Sequence, residues 1–122
     1  MGKKILIIED DTMLLNTLSN LLTEEGYKVK GCSNADNTFA YLEEEKPDLI
    51  MTDLVIHGTD GFDILKILSE KTEFKKIPTI VLTNLNDDEH IKRAKSYGIK
   101  NYIIKAENSL ADIVDKVKKV FN

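Results

Sequence analysis

Residues 4–10 read KILIIED, in which four consecutive aliphatic residues are followed by two acids. Further short apolar runs occur at residues 49–51, 80–82 and 102–104. A run without polar alternation is typical of a strand that is buried on both faces of a parallel sheet. The pattern therefore predicts a sheet that helices cover on both sides.

Amphipathic segments separate these runs. Apolar residues that share one helical face mark the first and the last segment: Leu14, Leu18, Leu21, Leu22, Leu110, Ile113, Val114 and Val117. Gly26 and Gly98 are predicted to end the first and fourth helices. Residues 27–32 alternate weakly and are predicted as the second strand, and a helix over residues 35–46 is predicted to end at Pro47.

The regular alternation of strand and helix indicates five β/α units. It predicts one α/β domain over residues 1–122, in which right-handed crossovers place helices on both faces of a five-stranded parallel sheet. Five strands in a chain of 122 residues suit the doubly wound strand order 2-1-3-4-5. In that order, ligands bind at the carboxyl edge of the sheet, where strands 1 and 3 end.

The composition excludes several functional classes. A net charge of −4, without any Lys/Arg-rich block, argues against a nucleic-acid-binding surface. The apolar runs are far shorter than the roughly 20 residues of a membrane span, and the start of the chain lacks the pattern of a secretory signal. Cys32 is the only cysteine, so no intramolecular disulfide can form. We expect a cytoplasmic protein that binds neither nucleic acid nor membranes directly.

Polar residues stand where the predicted strands end. Glu9 and Asp10 follow the first strand, Asp53 ends the third, and Thr83 and Lys105 end the fourth and fifth. Three carboxylates in one crevice with a single lysine require a cation, and their hard oxygen ligands favour Mg²⁺. A carboxylate is also a nucleophile, so Asp53 is predicted to form an aspartyl phosphate while Mg²⁺ and Lys105 neutralise the phosphoryl oxygens. Thr83 is placed to donate a hydrogen bond to one of those oxygens.

Each of these residues also has an ordinary structural interpretation. Lys105 alone would be a surface lysine, Thr83 a strand residue with a branched Cβ, and Tyr102 a half-buried core aromatic. The functional interpretation rests on their joint occurrence at successive strand ends. The turn between the first predicted strand and the first predicted helix contains no glycine, which argues against a nucleotide-binding loop.

Other polar residues are interpreted structurally. Helix caps are predicted at Asp11, Asn86 and Ser109. Isolated residues without ligand spacing are assigned no chemistry: His57, His90 and Cys32.

Four motifs resemble the response-regulator receiver domain of two-component signalling. They are residues 4–10 (KILIIED), 53–61 (DLVIHGTDG), 82–83 (LT) and 102–105 (YIIK). The resemblance covers essentially the whole chain, and these motifs in this order and spacing are highly specific. It implies a CheY-like, flavodoxin-like fold and a phosphorylation-dependent signalling switch.

The resemblance implies a metal-assisted phosphoacceptor. Asp53 is the residue that takes the phosphoryl group. Glu9 and Asp10 hold Mg²⁺ with Asp53, and Val55 contributes its backbone carbonyl. The phosphoryl group comes from the phosphohistidine of a sensor histidine kinase or phosphotransfer protein. The domain catalyses its own phosphorylation and dephosphorylation, and does not turn over a separate substrate.

The resemblance also implies an output device. Thr83 and Lys105 contact the phosphoryl group, and Tyr102 is the aromatic switch that turns inward when Thr83 moves toward it. The signal then leaves through the face of helix 4, strand 5 and helix 5 to a downstream protein partner. The transcription-factor branch of the family dimerises there through an acid just before the tyrosine. Because Asn101 stands at that position, we expect a monomer.

Three residues depart from the usual pattern of the family. His57 replaces a proline in the loop after Asp53, and Asn84 replaces a small residue next to Thr83. Asn84 is therefore expected to screen the phosphoryl group. Ala106 replaces a cis-bonded proline, and because a cis bond without proline costs about 2.5–4 kcal/mol, a trans bond is predicted.

Rival functions draw on the same residues. The departures lend some support to an interaction module with this fold that is not phosphorylated. We keep it only as the alternative, because every charged residue of the predicted site is present. A dehalogenase-like phosphatase lacks support because its Asp-x-Asp motif is missing. A flavin carrier is disfavoured because clustered acids would repel the flavin phosphate.

Overall fold

The aliphatic runs form the strands of one parallel sheet in the computed structural model, which describes residues 2–122. The strands are β1 (Lys4–Ile8), β2 (Lys28–Cys32), β3 (Leu49–Thr52), β4 (Thr79–Thr83) and β5 (Asn101–Ile104). Their order is β2-β1-β3-β4-β5, which confirms the predicted doubly wound arrangement. The weakly alternating second segment is a strand, but it begins at Lys28 and not at Tyr27.

Five helices connect and follow these strands. They are α1 (Thr12–Glu24), α2 (Ala35–Glu44), α3 (Gly61–Glu70), α4 (Asp88–Ser96) and α5 (Leu110–Phe121). Gly26 and Gly98 follow α1 and α4 as predicted, whereas α2 ends two residues earlier than predicted. Within residues 2–122, no helix has the length and apolar character needed to cross a membrane.

Side-chain caps fix where all five helices begin. Asp11 caps α1, and Ser109 caps α5 in a reciprocal capping box, as predicted. The prediction of Asn86 as the cap of α4 was wrong. The cap is Asp87, whose carboxylate accepts the backbone N–H of His90, because α4 begins one residue later than the pattern indicated.

The continuous apolar runs reflect burial on both faces of the sheet. Along β1, Ile5 and Ile7 pack toward α1 and α5, while Leu6 and Ile8 pack toward α2 and α3. A third cluster joins α3 and α4 to the sheet through Phe62, Leu65, Val81 and Ala94, among others. Cys32 is buried in the second cluster, in agreement with its structural interpretation.

A short antiparallel hairpin follows β3, and the sequence did not predict it. It pairs Val55–Ile56 with Thr59–Asp60. The next residue, Gly61, lies so close to Leu54 that an added Cβ would stand 2.6 Å from the Leu54 carbonyl oxygen. Only glycine fits this approach, which fixes the chain immediately after Asp53.

Candidate functional site

The register of the sheet brings the ends of β1, β3 and β5 to one edge. Ile8 lies opposite Thr52, and the backbone N–H of Asp53 donates to the Ile8 carbonyl at 3.1 Å. On the other side of β4, Thr83 pairs with Ile104. The residues that follow these strands therefore meet at the carboxyl edge, as the strand order predicts.

Lys105 joins two carboxylates from different strands. Its Nζ lies 2.6 Å from Oδ2 of Asp53 and 2.7 Å from Oε1 of Glu9. The two carboxylate side chains are nearly inaccessible, with 6% exposure for Asp53 and 2% for Glu9, while the lysine side chain is 18% exposed. A surface-lysine interpretation of Lys105 is thus excluded by its burial and its partners.

The surroundings favour the charged form of Lys105 but disfavour that of Glu9. Burial raises the pKa of Glu9, and it outweighs the opposing effect of the Lys105 hydrogen bond. For Lys105, burial acts to lower the pKa, but the hydrogen bonds and charges of Asp53 and Glu9 together raise it above its ordinary value. The lysine therefore stays charged, and Glu9 is a carboxylate whose charge the fold disfavours.

The second oxygen of Asp53 is held by the main chain. Its Oδ1 accepts the backbone N–H of Leu54 at 2.6 Å and that of Val55 at 3.0 Å. With Oδ2 on Lys105, both oxygens have fixed partners, so the orientation of the carboxylate is set before any reaction. A carboxylate held in this way at the carboxyl edge of the sheet is a suitable nucleophile for a phosphoryl group.

Asp10 lies beside this cluster without joining it. Its Oδ2 accepts the backbone N–H of His57 at 2.7 Å, which ties the end of β1 to the hairpin. Within residues 2–122, no three carboxylate, imidazole or thiol groups converge into a ready-made metal centre. The donors still fit Mg²⁺, a hard cation that binds carboxylate and carbonyl oxygens and completes its shell with water and phosphate oxygens.

Thr83 and Tyr102 meet at a residue that the sequence did not single out for this role. The hydroxyl of Thr83, which is fully buried, accepts the backbone N–H of Leu85 at 3.4 Å. The hydroxyl of Tyr102 donates to the Leu85 carbonyl at 2.6 Å. Both contacts use the main chain of Leu85, so no side-chain pattern in the sequence could have revealed them. Burial, with the charges of Asp87 and Asp53, raises the pKa of Tyr102 to about 12, so it remains a hydrogen-bond donor.

The two unusual residues after β4 and β5 bond to each other. Oδ1 of Asn84 accepts the backbone N–H of Ala106 at 2.9 Å. The Lys105–Ala106 peptide bond is trans, as the absence of proline predicts. A proline at position 106 would have no N–H, so these two departures from the family pattern are chemically complementary.

Comparisons with known proteins place the chain in a family. The sequence profile of the response regulator receiver domain matches residues 5–118, and the chain belongs to this family. It is 28% identical to the protein PilH of Pseudomonas aeruginosa over 84% of either chain. It is 32% identical to the response regulator protein VraR of Staphylococcus epidermidis, over 99% of this chain and 57% of that one. It is 31% identical to the transcriptional regulatory protein AfsQ1 of Streptomyces coelicolor, over 83% of this chain and 44% of that one.

Solved structures agree in fold. The signal receiver domain of a signal transduction histidine kinase from Syntrophus aciditrophicus has a TM-score of 0.87 at 28% identity, covering 98% of this chain and 89% of its own. A CheY-like receiver domain protein from Methanospirillum hungatei has a TM-score of 0.89 at 26% identity, covering 98% and 94%. Our chain spans about half the length of VraR and AfsQ1. It is a receiver domain of two-component response regulators, a class whose members signal by phosphorylation and interact with histidine kinases or phosphotransfer proteins.

Proposed function

We propose that this domain is a signalling switch that accepts a phosphoryl group from phosphohistidine onto Asp53, with Mg²⁺ bound beside it. The observation that carries the proposal is the carboxylate of Asp53, fixed between Lys105 and two backbone N–H groups at the carboxyl edge of the sheet. Phosphoryl transfer depends mainly on positioning and charge neutralisation, and this arrangement offers both.

The transfer involves one bond made and one bond broken. An oxygen of Asp53 supplies the electron pair of the new O–P bond, and the P–N bond of the phosphohistidine breaks with its electron pair left on the imidazole nitrogen. Lys105 is placed to neutralise negative charge on the phosphoryl oxygens, since its amine already lies 2.6 Å from the carboxylate. The hydroxyl of Thr83 would serve as a further donor to one of these oxygens.

Mg²⁺ is proposed to bind to Glu9, Asp10 and Asp53, with the backbone carbonyl of Val55. Three carboxylates and one ammonium group leave two net negative charges at this edge of the sheet, which a divalent ion balances. The ion would supply charge neutralisation for the transferred phosphoryl group.

The output is proposed to pass through Leu85 to the face formed by α4, β5 and α5. When the Thr83 hydroxyl turns to a phosphoryl oxygen, its hydrogen bond with the N–H of Leu85 breaks. The carbonyl of Leu85 accepts the hydroxyl of Tyr102, so a movement of Leu85 reaches the tyrosine. A shift of this segment releases the tyrosine hydroxyl and changes the surface beside it. Ala94 is the only fully buried residue of α4, which supports a helix that shifts at low cost.

The donor is proposed to be a protein, namely a histidine kinase or a phosphotransfer protein. The large apolar side chains that are exposed on residues 2–122 are Met13, Val55 and Leu110, with 79%, 58% and 37% exposure. Met13 is in the first turn of α1, Val55 follows Asp53 closely, and Leu110 begins α5, so all three lie toward the edge that carries Asp53. A donor protein docked at this edge would bury these apolar side chains.

Intact-mass analysis with acetyl phosphate and Mg²⁺ tests the proposal. Wild type should gain one phosphoryl group, and the Asp53→Asn variant should gain none, although its amide keeps an oxygen for the backbone N–H groups. Asp63→Asn, an exposed acid on α3, is the matched control and should behave as wild type. A wild-type chain that gains no phosphoryl group would overturn the proposal in favour of the unphosphorylated interaction module. A stable dimer in light scattering at micromolar concentration would contradict the expected monomer.

A further inference from the structure

We propose that Asn84 is a positioning residue for Lys105, because its side-chain oxygen holds the main chain directly after the lysine. The inference rests on the proposed function in one respect, namely that Lys105 neutralises the phosphoryl group. The positioning itself is a property of the unphosphorylated protein and is measurable without phosphorylation.

The main chain around Lys105 is held on both sides by side-chain amides. Oδ1 of Asn84 accepts the N–H of Ala106 at 2.9 Å, and Nδ2 of Asn108 donates to the carbonyl of Ile104 at 2.9 Å. Asn108 is held in turn by Nζ of Lys116 at 2.9 Å. A side-chain amide from elsewhere in the chain therefore fixes one backbone group of Ile104, directly before Lys105, and one of Ala106, directly after it.

This support matters because the lysine lies beyond the regular sheet. β5 is an edge strand, and its pairing with β4 ends at Thr83 and Ile104. Lys105 then starts a short 3-10 turn, Lys105–Glu107. Edge segments after the last ladder pair are the parts of a sheet that open most easily. Asn84 directly follows the last residue of β4. Its side-chain hydrogen bond to Ala106 therefore continues the pairing of β4 and β5 beyond the last backbone pair.

The same hydrogen bond links the two proposed phosphoryl contacts. Asn84 follows Thr83, and Ala106 follows Lys105, so the bond joins the neighbours of both residues. Loss of the bond would let the turn move and would loosen the amine from Asp53 and Glu9. Both bonded groups are on exposed residues, so water can replace the lost partner. The reactivity of the Lys105 amine should therefore change only modestly, by about threefold.

The first measurement compares Asn84→Ala with Asn86→Ala in the unphosphorylated, Mg²⁺-free protein. Asn86 is an exposed amide two residues further along the same loop, which makes it the matched control. In Asn84→Ala, the Ala106 amide should exchange its hydrogen faster, and an amine-acylating reagent should modify Lys105 about threefold faster. Exposed lysines such as Lys66 serve as internal references and should react unchanged. Asn86→Ala should match wild type in both readouts.

The second measurement is the rate of phosphorylation by acetyl phosphate, together with Mg²⁺ affinity. Asn84→Ala should react about threefold more slowly with nearly unchanged Mg²⁺ affinity, because the proposed metal ligands lie on other segments. Unchanged acylation of Lys105 in Asn84→Ala would overturn the inference, whether or not the Ala106 amide exchanges faster. If wild type takes no phosphoryl group, the proposed function fails, while the acylation rates still decide whether Asn84 positions Lys105.

Discussion

Lys105 faces two buried carboxylates, and this pairing leaves one net negative charge inside the cluster. Glu9 is the partner whose charge is disfavoured, because its pKa is raised chiefly by burial. The folded protein therefore binds the Glu9 proton more tightly than the unfolded chain does. Protonation of Glu9 therefore contributes to the free energy of unfolding. This contribution is fully present below the ordinary pKa of 4.5, and it is lost as the pH rises through the raised pKa of the folded protein.

Replacement of Glu9 with glutamine should stabilise the metal-free protein at neutral pH. Glu9→Gln keeps an oxygen for Lys105 and leaves one carboxylate paired with one ammonium group, but its NH2 group cannot accept the Asp11 N–H that Oε2 of Glu9 accepts at 3.2 Å. The free energy of unfolding should therefore rise by no more than about 1 kcal/mol. The gain should disappear below pH 4.5, where Glu9 of wild type is protonated. Urea denaturation at both pH values, with exposed Glu44→Gln as control, checks this. A variant less stable than wild type at neutral pH would contradict the prediction.

We expect two side chains near Asp53 to set the lifetime of the phosphorylated state. An aspartyl phosphate decays when a positioned water attacks it. Val55 and Leu85 stand two residues beyond Asp53 and Thr83, and neither offers a polar side chain to hold such a water. The Val55→Asn, Leu85→Glu double variant should therefore lose its phosphoryl group several-fold faster than wild type, a change of about 1 kcal/mol in the barrier. Equal decay rates, followed by intact mass, would show that these side chains do not limit hydrolysis.

Helix α4 contacts one aromatic side chain of α3 through two of its own side chains, in addition to the burial of Ala94 in the third cluster. The guanidinium of Arg93 lies 4.1 Å from the ring centroid of Phe62, and the ring of His90 stacks on Phe62 at 5.8 Å. The contacts of His90 are structural, in agreement with the absence of any ligand spacing around it in the sequence. They are nevertheless on the helix whose movement is proposed to carry the signal.

Loss of the Arg93 contact should loosen α4 while the rest of the fold stays intact. An exposed cation–π contact contributes about 0.5–1 kcal/mol, so Arg93→Ala should raise amide exchange in α4 about threefold. Lys92→Ala removes a neighbouring exposed cation that makes no such contact, and it should leave exchange in α4 as in wild type. Equal protection of α4 in the two variants would show that Phe62 does not hold the helix through Arg93.

The elements differ in how far the sequence predicts them, for physical reasons. β1, β3 and β4 are buried on both faces, so their uninterrupted aliphatic runs identified them. The hairpin after β3 has only two residues per strand, too few for any periodicity to develop. At the site, the acids and the lysine could be found because strand ends converge, whereas the main-chain contacts of Leu85 carry no side-chain signature. The Asn84–Ala106 bond joins residues far apart in sequence and needs the three-dimensional register.

We expect the three acids at the carboxyl edge of the sheet to make folding sensitive to divalent cations. Three carboxylates and one lysine place two net negative charges at one edge of a protein whose total charge is −4. A cation that binds this edge in the folded state, and binds the unfolded chain weakly, stabilises the whole fold by mass action. Coordination and general charge screening both predict stabilisation, so a test must separate them.

Asp10 and Asp11 offer that test because they are adjacent acids with different environments. Asp11 caps α1 by accepting the N–H groups of Met13 and Leu14, and asparagine caps equally well, so Asp11→Asn removes a charge while it keeps the helix end. Asp10→Asn removes the same charge from a proposed metal ligand. We expect Mg²⁺ at tenfold excess over its Kd to raise the free energy of unfolding of wild type and Asp11→Asn by about 1.4 kcal/mol, and that of Asp10→Asn by much less. Urea denaturation with Mg²⁺, against EDTA at matched ionic strength, measures each gain. Equal losses of the Mg²⁺ effect in the two variants would indicate charge screening and would remove Asp10 from the proposed ligands.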